Sequence, residues 1–137
     1  MNKVIASDKK DLSLIECVNS LYKLLKLRAV PIGMKLFSTK EEMEEVEKIR
    51  RPNGVFTTDQ IVGQACRNGW TVGITAEDLV GAQCSTVIGL HPRSDEWLSG
   101  KQMAGVWFEK EEESSEHQKA MDVVPFGVYE AMVVSPL

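Results

Sequence analysis

Apolar residues in the first part of the chain return at helical intervals. Between Asp11 and Arg28, Leu12, Ile15, Val18, Leu21, Tyr22 and Leu25 recur every three or four positions, so one stripe of an amphipathic helix is predicted. Pro31 ends it, because its ring and missing N–H forbid continuation. Pro31–Phe37, PIGMKLF, is short and apolar and reads as a strand. Thr39 followed by Glu42 fits a capping box, opening a helix over KEEMEEVEKIRR in which Met43, Val46 and Ile49 form a narrow buried stripe. Arg50 and Arg51 fall at its negative end, and Pro52 closes it.

Pro52-Asn53-Gly54 is turn chemistry. Thr58 or Asp59 then caps a short helix carrying Ile61, Val62, Ala65 and Cys66, stopped by Asn68-Gly69. Trp70–Ile74, WTVGI, reads as a second strand. Thr75 with Asp78 opens a further helix running towards Gly89. After the His91-Pro92 turn, Asp95–Gly100 has room for one helical turn, and MAGVWF at Met103–Phe108 reads as a third strand. A charge run from Glu109 to Glu116 precedes a helix through Lys119–Val124, and VYEAMVV at Val128–Val134 is a fourth strand. Strands interleaved with helices predict an α/β or α+β fold: one compact domain of about four strands, with residues 1–10 as a flexible tail.

Charge narrows the partners. With 20 acidic against 16 basic residues the net charge is −4, and binding to nucleic acid needs clustered Lys and Arg; nucleic acid is not expected. The two densest basic clusters, Lys23–Arg28 and Lys48–Arg51, read as solvated helix ends. No run approaches the roughly 18 apolar residues of a membrane span. The N-terminus lacks the apolar region of a secretory signal, and three scattered cysteines point to reduced thiols in a cytoplasm.

The chemistry worth weighing lies in Gln64–Pro92, which holds Cys66, Cys84, His91 and the Glu77-Asp78 pair. Structural zinc sites use cysteines two to four residues apart, whereas Cys66 and Cys84 are far more widely separated and no CxxC occurs. Cys84 lies four residues after Val80 and four before Ile88, and Cys66 adjoins Ala65, so both are expected as buried, inert sulfur packed like a small hydrophobe. Glu77 and Asp78 are accounted for by the positive end of a helix. His91 is expected in an exposed turn and His117 on an acidic surface helix. Neither a GxSxG elbow nor a GxGxxG or Walker loop is present, which disfavours serine hydrolysis and nucleotide binding. Trp70, Trp97 and Trp107 are expected in the core or at a rim; the alternative is that with Met103 and Phe108 they line a small apolar pocket.

Two readings follow. The first is a cytoplasmic small-molecule-binding or accessory subunit in an oligomer or larger complex, with Cys84, Cys66 and Trp70 as ligand contacts. The alternative is a thiol-dependent metal, iron–sulfur or redox-cofactor protein using Cys84 with Cys66 and His91. No motif names a cofactor or a reaction.

Three segments together, VPIGMKLF, GQACRNGWTVGITAEDLVGAQCSTVIGLHP and VPFGVYEAMVVSPL, resemble the uncharacterised prokaryotic family known as domain of unknown function 169, over about Val30–Leu137. The resemblance implies no established reaction. It implies bacterial or archaeal origin, often with anaerobic metabolism, and a family cysteine in the central block that Cys84 matches. Members of that family commonly continue into a second half, so the chain is expected to be a short member or a piece of a longer one. Its final strand, 128–134, is then expected to need a neighbour at its edge, through self-association or a partner subunit.

Overall fold

The computed structural model describes residues 13–80 and 83–137. The expected tail over residues 1–10, and Leu12 of the first apolar stripe, lie outside them. The domain is α+β. Its strands are β1 (Ile32–Phe37), β2 (Val72–Thr75) and β3 (Ala131–Pro136), in the spatial order β1-β3-β2 with both pairings antiparallel. Register runs from Ile32 opposite Pro136 to Phe37 opposite Ala131, and from Val72 opposite Val134 to Thr75 opposite Ala131.

The apolar run on β3 is continuous because both faces of the central strand are covered. Side chains alternate across a strand, and two clusters separate accordingly. Met132 and Val134 join Val72, Ile74, Leu79 and Leu90 beneath Ile61 and Ala65, which come from helix α3 (Thr58–Asn68). On the other face Ala131 and Val133 meet Phe37 and Met43, with Val46 and Ile49 packed alongside. Burying one Val, Ile or Met side chain contributes about 1.5–3 kcal/mol, so these two layers hold the domain together.

The helices in chain order are α1 (Leu14–Leu25), α2 (Lys40–Glu44), α3, α4 (Gln83–Val87), α5 (Asp95–Leu98) and α6 (Glu111–Ala120). Helix α1 starts in a Ser13–Glu16 capping box and ends at Lys26, which takes a left-handed φ of 49° well before Pro31. It buries no residue among those described, and Leu14, Ile15, Leu24 and Leu25 are exposed.

Several elements depart from the expectation. Helix α2 keeps its Thr39 cap but stops at Glu44. Lys48 turns left-handed with φ 59°, which releases Ile49 onto the sheet and lets Arg50 form a parallel bridge to Val72. Arg50 N–H donates to the Thr71 carbonyl at 2.9 Å, and Gly73 N–H donates to the Arg50 carbonyl at 2.9 Å. Helix α3 is capped by Thr57, one residue before the expected Thr58 or Asp59, in a full box with Gln60.

Met103–Phe108 is a compact turn and not a strand. Gly105 has a φ of 77°, and the N–H groups of Val106, Trp107 and Phe108 converge on the Met103 carbonyl. The run was apolar and short, the pattern that periodicity resolves least. The last helix begins within the charge run, since Glu111, Glu112 and Glu113 fill the first turn of α6, where the helix dipole favours them.

The fourth expected strand is real but lies at 131–136 in the middle of the sheet. Both edges of β3 are paired, so it is not the edge that seeks a partner. Among the described residues the open edge belongs to β1; the outer side of β2 carries the Arg50 bridge.

Candidate functional site

One exposed face of α3, the Arg50–Asn53 segment and the Trp70 side of β2 enclose two adjoining depressions. The first, of about 410 Å³, is lined by Phe56, Gln60, Gly63, Gln64, Arg67 and Asn68. The second, of about 590 Å³, shares Phe56, Gln64 and Asn68 and adds Arg50, Arg51, Asn53 and Trp70. Gln60, Gln64, Arg67 and Asn68 fall at intervals of three and four, hence on one side of the helix, while Ile61 and Ala65 on the adjacent flank are anchored in the core. The polar wall is therefore fixed by the packing of the same helix.

Two devices position the facing wall. The Arg50 guanidinium stands over the Trp70 ring, 4.6 Å from its centroid, a cation–π contact that orients both groups. Arg51 turns inward. Its Nη2 donates to Asp78 Oδ2 at 2.5 Å and to Thr75 Oγ1 at 3.3 Å. Asp78 Oδ2 also accepts from Thr75 N–H at 2.8 Å and from Thr75 Oγ1 at 3.0 Å. The Asp78 side chain is 16% exposed and that of Arg51 32%. The acidic pair that sequence alone assigned to a helix start thus contains a structural anchor for the loop, and the KIRR cluster is not a solvated helix end. Nothing in local spacing links Arg51 to Asp78, 27 residues on; only the return of the chain beside β2 does so.

The sulfur atoms lie elsewhere and apart. Cys84 is exposed rather than buried, and Cys66 and Cys17 are half-buried free thiols. Helix α4 spans only five residues, too short to carry Cys84 onto a shared face with Val80. Cys84 Sγ lies 3.8 Å from Asp59 Oδ1. Desolvation first, then the Asp59 charge and hydrogen bond, push the Cys84 thiol up from its ordinary value. A raised pKa favours the protonated thiol, the opposite of what a metal ligand or nucleophile needs. Cys84 is accordingly expected to react with iodoacetamide at pH 8 more slowly than a free thiol, and Asp59→Asn to accelerate it several-fold. Equal rates in the two proteins would show that Asp59 does not act on the sulfur.

His91 is half-buried, not exposed, and its Nδ1 is enclosed without a hydrogen-bond partner among the described residues. Among the described residues no group of three or more His, Cys, Asp or Glu side chains is placed to hold a metal ion. Cys84, Cys66 and His91 are not gathered into one. Of the three residues expected as ligand contacts, Trp70 alone lines the groove just described. The tryptophans are dispersed: Trp97 is core at 2% exposure and Trp107 is 76% exposed, so with Met103 and Phe108 they form no shared pocket. His117 packs its ring 5.0 Å from that of Phe108. No helix of the described residues is long and apolar enough to cross a membrane.

A family profile described as uncharacterised ArCR, DUF169, matches residues 20–137. Among curated proteins and among solved structures, none matches the chain.

Proposed function

The chain belongs to the DUF169 family, and from that premise we propose that its domain is a small-molecule-binding module whose site is the groove between α3 and the Arg50–Asn53 segment. The observation that carries this reading is the convergence of Gln64, Asn68, Asn53 and Trp70 on one preformed depression of ligand size. A few polar groups set around an aromatic surface are the usual make-up of a ligand site. Gly63 supplies the test, because a side chain added there meets nothing within 4 Å. Gly63→Phe is expected to fill the groove while leaving the fold intact, and to abolish perturbation of the Trp70 indole N–H in NMR screens of small polar compounds. Perturbations that persist in Gly63→Phe would remove the groove from consideration.

A second reading concerns assembly, and the open edge of β1 favours it. An unpaired edge strand is a template for another strand. Close to it, Leu14, Ile15 and Val18 of α1 form an apolar hollow with Leu137, and Leu137 N–H is bonded to the Pro31 carbonyl at the start of β1. We propose that a second copy of the chain pairs here, edge to edge, giving a dimer. Light scattering at micromolar concentration is expected to show that dimer, and Ile15→Glu with Met34→Lys, which charge the exposed wall of the hollow and the edge strand, to dissociate it; a monomeric wild-type mass would overturn it. The cytoplasm is the proposed compartment, supported by three unpaired thiols.

A further inference from the structure

The charge around the groove differs from that of the chain as a whole. Acidic residues outnumber basic ones by 20 to 16, yet among the described residues the two depressions are lined by Arg50, Arg51 and Arg67 and by no carboxylate. Of the three cations Arg51 alone has a counter-ion, Asp78, which lies outside the lining. Arg50 and Arg67 form no ion pair among the described residues. Arg50 is also restrained, by its backbone bridge to β2 and its stack on Trp70, while the capped helix fixes the backbone from which Arg67 projects.

Guanidinium groups bordering a cleft favour carboxylate and phosphate oxyanions, which accept two parallel N–H bonds from one Arg. Side-chain amides of Gln60, Gln64 and Asn68 add neutral donors on the same wall, and Phe56 and Trp70 offer flat apolar surface beside them.

We infer that the groove is selective for small organic oxyanions, carboxylates or phosphate esters carried on a planar apolar body, with Arg50 and Arg67 as the recognition cations. This rests on the small-molecule reading above and adds the ligand class to it. Carboxylate and phosphate share the chemistry, so the assay separates them.

The test uses three probes of one shape, benzoate, phenyl phosphate and uncharged benzamide, titrated into the full chain at constant ionic strength while arginine and tryptophan side-chain N–H signals are followed. Either anion is expected to bind at least about tenfold more tightly than benzamide, with shifts at Arg50, Arg67 and Trp70; whichever anion binds more tightly identifies the oxyanion. Arg67→Ala is expected to cost about tenfold for the anions and nothing for benzamide. Arg67→Lys should restore part of the loss, and Lys119→Ala should change neither. Equal binding of anion and amide, blocked by Gly63→Phe, would overturn the charge selectivity and leave the small-molecule reading standing. No saturable shift with any probe, or shifts unaffected by both Gly63→Phe and Arg67→Ala, would overturn both.

Discussion

Asp78→Ala is expected to lower stability by about 2–4 kcal/mol, seen as a fall in urea midpoint with an unchanged slope. One carboxylate oxygen serves three donors: the Arg51 guanidinium, the Thr75 N–H and the Thr75 hydroxyl. Removing it strands all three at once, and a partly buried guanidinium left without its counter-ion is costly. The capping contribution alone is about 1 kcal/mol; the remainder comes from the ion pair. Asp78→Asn keeps an acceptor for the Thr75 N–H and should lose about half as much. In a double-mutant cycle with Arg51→Met, a coupling of 1 kcal/mol or more is expected because the two groups are in contact. A loss below about 0.5 kcal/mol for Asp78→Ala would mean that solvent replaces the pair at little cost. The same substitution should also loosen the Arg51 wall of the groove, so ligand affinity and stability are expected to fall together.

Gly73→Val is expected to be at least as damaging, on the order of 3 kcal/mol. A Cβ at that position would lie 2.3 Å from Ile49 Cδ1, 2.8 Å from Met43 Sδ and 2.9 Å from Ile49 Cγ1. Those atoms are the far ends of side chains, so Gly73→Ala is survivable at a smaller loss. The two further methyls of Val have nowhere to go unless Ile49 leaves. Displacing Ile49 pulls on Arg50, whose N–H and carbonyl hold the loop to Thr71 and Gly73, and the groove would open as the fold weakens. Ile49→Ala introduced with Gly73→Val should recover part of the loss by vacating that space. If the double variant is no better than Gly73→Val alone, the clash with Ile49 is not the cause.

Both predictions depend on contacts between segments far apart in the chain, and this is where reading by spacing stops. The cap at Thr39, the stop at Gly69 and the strands around Met34 and Ile74 were legible because each depends on neighbours within four residues. The same local rules placed the KIRR cluster at a helix end and Asp78 at another. Each residue type suits the assigned role, and no spacing reveals that the two meet. Cys84 was misplaced for a related reason: among the described residues the helix that carries it covers Gln83–Val87, and Val80 stands outside it, so the shared face with Val80 does not form.

By itself the sequence determined a domain of strands interleaved with helices, α/β or α+β, the kinds of most of its elements, and the turns where Gly, Pro or capping residues impose a backbone shape. Those outcomes rest on short-range sterics and hydrogen bonds, which a window of a few residues contains. Tertiary structure decided which strand lies in the centre, that β1 is the open edge among the described residues, and that three arginines from distant segments border one groove. Sheet order and charge juxtaposition arise from which apolar faces cover which, a choice made among segments separated by tens of residues.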